Sequence, residues 1–297
     1  MEEKSVRLNS CDEDEFRSGI EEINGLLSRI YPPTSSIMQA VDIKGQDYAT
    51  YYYSAFSGAL DLDSSLAVYD KVKNLVRIVV LMDRYFEVGN QRYRRLGQAL
   101  IARLKREGDE SLKSIIRFNM KQFWPFWKFE GYTKTLMLNG YRFSESEIRN
   151  FNLFKSSDAP LLYAPVLEAA VPGFPHSASL IIHYNQALQD IEDDLEDIQE
   201  DLRDQMPNIF ILASLGNNPS KAYSKLYKHR MNGSKLSILE NSSETILGIV
   251  NEYVTSIEGI GVPDQFKFLK YLSRDYAERI TKKLPACIQE SQRPAAA

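Results

Sequence analysis

Cysteine is almost missing from this chain, with Cys11 and Cys287 set near opposite ends. That excludes a disulfide framework and any cysteine-based zinc or iron–sulfur spacing. A reducing, cytoplasmic setting is therefore expected, with one disulfide between the two ends left open. Histidine is equally sparse. His176, His183 and His229 lack the paired spacing of a zinc site or of a nucleophile with its base. There is no Gly-x-Gly-x-x-Gly, no Walker loop and no Gly-x-Ser-x-Gly, so dehydrogenase, kinase and acyl-hydrolase readings lose their usual signatures. No apolar run approaches the roughly 20 residues needed to span a bilayer. No integral membrane segment is expected, and the acidic, polar start Met1-Glu2-Glu3-Lys4-Ser5 is unlike a secretory signal. Charge of neither sign prevails: 36 basic residues face 40 acidic ones, a net charge of −4 that gives no global affinity for polyanions. Nucleic acid is not expected as a partner.

Strand alternation is also nearly absent, although Tyr51, Tyr52 and Tyr53 have β-propensity. What the chain has instead is helical spacing. Its 297 residues, 43% of them hydrophobic, suffice for a sizeable core in one large domain or two smaller ones. Residues 12–30 carry Phe16, Ile20, Ile23, Leu26, Leu27 and Ile30 at helical intervals before Pro32-Pro33. Further helices are expected at 64–88, 91–107, 109–122, 144–154, 176–206, 219–230, 242–259 and 263–284. Ser144 with Glu147 makes a capping box, residue 122 runs toward Pro125, and Pro207 stands where a helix stops or restarts. With no repeat, linker or composition break, the expectation is an all-α, single-domain bundle of about ten helices over residues 1–294. Ala295-Ala296-Ala297 resembles a cloning remnant.

The most informative segment is 188–204. Nine carboxylates lie within the fifteen residues from Asp190 to Asp204, yet Leu188, Ile191, Leu195, Ile198 and Leu202 recur at spacings of three and four. One stripe of this helix can therefore face a core. Asp190, Asp194, Asp197 and Asp201 each precede an apolar position, and Asp193 lies four residues before Asp197. Carboxylates so placed repel one another unless a cation offsets them. Oxygen-only ligands on one face suit magnesium; a plain solvated acidic face is the alternative.

Asp193-Asp194-Leu195-Glu196-Asp197, followed by Glu200-Asp201, Arg203 and Met206-Pro207-Asn208, resembles the second aspartate-rich region of the class I isoprenoid synthases, especially the all-trans prenyl diphosphate synthases. Lys155-Ser156-Ser157, 38 residues upstream of Asp193, resembles that family's Lys-Thr segment. Asp83 and Glu87, with Arg92, Arg94 and Arg95 after them, resemble its first aspartate-rich motif. That motif is short of one aspartate here, and its last aspartate is replaced by Glu87. Asp190 stands where the family usually has glutamine. The amino-terminal site for isopentenyl diphosphate has no counterpart, and neither does the Asn-Asp-x-x-Ser-x-x-x-Glu motif of terpene cyclases.

The resemblance implies an isoprenoid synthase fold and a magnesium-dependent terpene synthase that ionises a linear allylic prenyl diphosphate and releases pyrophosphate. In that scheme Asp83, Glu87, Asp190, Asp193, Asp194 and Asp197 are the metal ligands, with Asp83, Asp193, Asp194 and Lys155 carrying the chemistry. Arg94, Arg95, Ser156, Ser157, Arg274 and Tyr276 bind the substrate, and a homodimer is possible. Aromatic side chains would shield the cation in such a cavity. The clusters at Phe123, Trp124, Phe126, Trp127, Phe129 and Tyr132 and at Tyr51, Tyr52, Tyr53 and Phe56 read more readily as plain core or interface, and none is assigned to the cavity. A prenyltransferase with a second acceptor and a non-catalytic acidic scaffold are the alternatives.

Overall fold

The structure is a computed structural model that describes residues 62–217 and 232–292. The expectations for residues 12–30, 51–56 and 219–230, and for Cys11 and His229, lie outside the described residues. Among the described residues every regular element is helical and there is no strand, so the described part of the chain is all-α. The elements are α1 (Leu62–Val88), α2 (Gln91–Glu107), α3 (Glu110–Ser114), α4 (Met120–Leu138), α5 (Glu145–Lys155), α6 (Ala164–Ala170), α7 (His176–Asp204), α8 (Ile209–Asn217), α9 (Asn232–Gly259) and α10 (Phe268–Gln292). Two wide π-helical turns, Ile115–Asn119 and Ala159–Tyr163, and a 3₁₀ turn at Asp264–Phe266 complete the set.

Capping chemistry explains most starts. Asn90 accepts from the Arg92 amide, and Asp109 from the Leu112 amide. At α5 the capping box is complete: the Ser144 hydroxyl accepts from the Glu147 amide while Glu147 accepts from the Ser144 amide. Pro125 does not end a helix. It sits inside α4, although proline has no N–H and crowds the carbonyl four residues back. Met120 and Trp127, on either side, are both buried, and their packing outweighs the local cost. The acidic helix ends at a left-handed turn, where Gln205 has φ of 60°. The Met206 amide there donates back to the Asp201 carbonyl at 2.8 Å.

The described residues fall into two compact units. One runs to Trp124 and adds Asp158–Ile182 and Gly261–Tyr271. Its core is the apolar stripe of α1 (Val68, Val72, Leu75, Val76 and Val79), with α2 packed close by. Gly97 permits that approach, because a Cβ there would lie 3.2 Å from the Met82 sulfur. The Asn119 side chain donates to the Leu161 carbonyl at 2.9 Å and ties the two wide turns together.

The second unit holds Pro125–Ser157, His183–Ile260 and the chain from Leu272 onward. Here α8 packs on α5 and α9. Ile209 through Ala213 are fully buried, as befits a helix that is apolar on every side. The stripe Leu188, Ile191, Leu195, Ile198 and Leu202 of α7 is buried, as its spacing predicts.

Candidate functional site

The polar cluster of the second unit is built where the end of α5 meets α7. Lys155 is the last residue of α5, and its ammonium donates to Asp194 Oδ1 at 2.5 Å. Asp194 is nearly sealed, with 3% of its side chain accessible against 30% for Lys155. Its second oxygen, Oδ2, accepts from the Ile209 amide at 2.9 Å, at the start of α8. One carboxylate thus neutralises a cation and caps a helix. One turn back on α7, the Asp190 carboxylate accepts from the Ser156 hydroxyl at 2.6 Å and from the Gln186 amide at 3.0 Å. Ser157, the other candidate hydroxyl, bonds back to the Leu153 carbonyl at 3.2 Å.

The electrostatics follow from burial. Burial alone would lower the Lys155 pKa, but the charges of Asp194, Asp190 and Glu130 outweigh it and hold the ammonium well above the usual lysine range. Burial raises the Asp190 carboxyl, and Lys155, Ser156 and Gln186 only partly offset that rise. Burial also lowers the His183 imidazole, whose Nε2 bonds the Leu153 carbonyl at 2.8 Å.

Asn208 joins α7 to α8. Its amide donates to the Asp194 carbonyl at 2.7 Å and to Asp201 Oδ2 at 2.8 Å, and its oxygen accepts from the Phe210 amide at 2.9 Å. Burial and the Asp194 charge push the Asp201 carboxyl up to about 7, against the Asn208 bond that favours ionisation. A carboxyl raised on folding stabilises most when protonated. Its contribution is complete below about pH 4 and is lost as pH rises through about 7. Asp201→Asn keeps an oxygen for Asn208 and removes that loss. The variant is expected to exceed the parent by about 4 kcal/mol above pH 7 and to match it near pH 4. Urea unfolding at both pH values checks this, and an equal gain at both would contradict the assignment.

The remaining site residues expected from the sequence divide clearly. Asp193 on α7 is partly exposed and Asp197 is exposed. Asp83 and Glu87 lie on α1 in the first unit, as do the exposed Arg94 and Arg95 of α2. The Arg94 guanidinium lies 5.5 Å from the centre of the Tyr85 ring. Arg274 and Tyr276 of α10 have separate partners. Arg274 pairs with Glu258 at 2.8 Å, whereas the buried Tyr276 donates its hydroxyl to Gln189 at 3.2 Å. Sequence reasoning passed over Gln186, Asn208 and the pairing of Glu192 with Arg279 (2.9 Å) and Lys283 (2.6 Å). Burial alone would raise the Glu192 carboxyl, and those two cations hold it below the usual range. The spacing of Gln186 four residues before Asp190 was the available signal for the first.

Oxygen donors of the right chemistry for magnesium are present. Among the described residues, however, no group of three or more histidine, cysteine, aspartate or glutamate side chains is arranged to hold a metal ion. Both oxygens of Asp190 and of Asp194 already accept hydrogen bonds. Among the described residues these acids therefore form no preformed magnesium site. In comparisons with family models, with curated proteins and with solved structures, nothing matches this chain.

Proposed function

We propose that the chain is a class I terpene synthase with an isoprenoid synthase fold, which ionises a linear allylic prenyl diphosphate and releases pyrophosphate. One observation carries the reading. Lys155 and Ser156 stand 39 and 34 residues from the acids they bond, and both reach the inner face of the acidic helix, on Asp194 and Asp190. A cation and a hydroxyl beside an aspartate-rich helix are what the family resemblance requires for holding a diphosphate. In this reading the Lys155 ammonium, whose side chain is 30% accessible, offsets the charge that develops on the departing diphosphate. Gln186 and Ser156 keep Asp190 oriented, and Asp193 and Asp197 form the open side of the helix. Magnesium is the cofactor that the resemblance implies, and none of these roles is routed through it.

A prenyltransferase acting on the same diphosphate differs only in needing a second acceptor. A helical scaffold without catalysis is favoured by a different observation, the saturation of Asp190 and Asp194 by partners within the protein.

The test is turnover. Purified protein with magnesium is offered allylic diphosphates of increasing length, one at a time, with release of pyrophosphate and of hydrocarbon or alcohol followed. Product from a single diphosphate, lost on chelation and in Asp193→Ala, is expected. Product only with an acceptor present would select the prenyltransferase. The absence of turnover under every condition would sink the enzymatic reading and leave the scaffold.

A further inference from the structure

The first unit carries a surface that the reading above does not use. The wide turn Ile115–Asn119 and the first residues of α4 present one apolar and one solvent face. Ile115, Ile116 and Met120 are buried, whereas Arg117, Phe118, Lys121 and Trp124 point outward. Arg117, Lys121 and Trp124 are spaced i, i+4 and i+7, with Phe118 three residues before Lys121, so they form one stripe. The aromatic members are unusually open: Phe118 is 57% exposed and Trp124 is 41% exposed. A third exposed ring, Phe86 at the end of α1, packs edge-on against Trp124 with centroids 5.5 Å apart. Three large rings and two cations therefore share one patch.

The charge around this patch is lopsided. From Arg84 to Lys121 there are ten basic residues and four acidic ones, in a chain whose net charge is −4. The acidic residues of that stretch are partly spoken for, since Glu107 pairs with Arg103 and Arg106, and Asp109 with Lys71. No ion pair joins Arg117 or Lys121 to an acid among the described residues. A patch of this kind matches the headgroup and acyl boundary of a bilayer, where tryptophan and phenylalanine enter and adjacent lysine and arginine meet anionic lipid. It cannot span, and no helix among the described residues is long and apolar enough to cross a membrane.

We infer that Phe86, Phe118 and Trp124, with Arg117 and Lys121, dock this protein reversibly onto an anionic lipid surface. The positive charges draw the patch to the surface, and the rings anchor it. The attraction weakens with salt, because exposed charges are screened beyond about 10 Å at ~0.1 M ionic strength. This inference is independent of the proposed enzymatic function.

Tryptophan fluorescence supplies a direct readout. The chain has two tryptophans. Trp127 is 5% exposed and already in an apolar setting, so an added blue shift reports Trp124. The full-length protein is mixed with vesicles of phosphatidylcholine alone and of phosphatidylcholine with phosphatidylserine in equal parts. Co-sedimentation and a blue shift are expected only with phosphatidylserine, both fading as salt is raised. Phe118→Ser with Lys121→Glu, two exposed changes that spare the core, is expected to weaken vesicle binding at least about tenfold. The circular dichroism spectrum should stay unchanged. Binding that ignores phosphatidylserine, or that survives the double substitution, would overturn the proposal. The absence of vesicle binding would overturn it too, whether the same variant changes the oligomeric state, binds single-stranded nucleic acid differently or does neither.

Discussion

Asp194→Ala is expected to lower folding stability by about 3–5 kcal/mol, the combined cost of leaving the Lys155 charge without its partner and a buried amide without its acceptor. The substitution strips the Lys155 ammonium of the carboxylate oxygen 2.5 Å away. It also removes the acceptor of the Ile209 amide, so the first turn of α8 loses a cap inside the core. Lys155→Met is gentler, at about 2 kcal/mol, because Asp194 keeps the Ile209 bond. The informative variant is the double one. With both charges gone, neither is left stranded, and its cost should fall short of the summed single costs by about 2 kcal/mol or more. Urea unfolding of the four proteins closes the cycle. Strict additivity would mean that the two groups do not sense each other, against the geometry. The coupling should also persist in high salt, unlike that of an exposed pair, because Asp194 is 3% accessible. The resemblance named both residues, Lys155 as a cation for diphosphate and Asp194 as a metal ligand, but not their bond to each other, since residues 39 apart in sequence share no local pattern.

What the sequence disclosed was chiefly local. The five apolar positions of α7 are buried because a spacing of three and four residues admits one inward face. The Ser144 and Glu147 box formed because its two bonds join residues three apart. Pro125 misled for the converse reason. Its local signal is a helix break, and the packing of residues distant in sequence overrode it. The resemblance assigns Arg274 and Tyr276 to the substrate, and residues two apart on a helix point in different directions. One reaches Glu258 and the other Gln189. The acidic helix itself was only half legible. Its inner stripe was readable, but Glu192, assigned no role, is buried against Arg279 and Lys283 on α10. Those partners lie 87 and 91 positions along, and nothing in the spacing of carboxylates points to them.

Asn208→Ala is expected to cost about 2–4 kcal/mol, although Asn208 bears no charge and the resemblance gives it no role. Proline followed by asparagine ahead of an apolar run reads as a helix start, and the oxygen of Asn208 does cap the Phe210 amide. That part of its contribution is about 1 kcal/mol. The larger part comes from the two bonds its amide donates, to the Asp194 carbonyl and to Asp201, in a fully buried setting where unmet acceptors are costly. Asn208→Ser separates the two contributions, because a hydroxyl keeps the cap oxygen but cannot span both acceptors. Serine should recover about 1 kcal/mol of the alanine loss and no more. Hydrogen exchange at the Ile209 and Phe210 amides, read beside urea unfolding, distinguishes a frayed first turn from a uniformly weakened fold. Rapid exchange at those amides is expected in Asn208→Ala and slower exchange in Asn208→Ser. A stability within about 0.5 kcal/mol of the parent for both variants would show that Asn208 merely touches the acidic helix. The physical stake is the register of α8. A helix buried on every side has no polar face to fix its rotation, so its position against α7 depends on the bonds at its first turn.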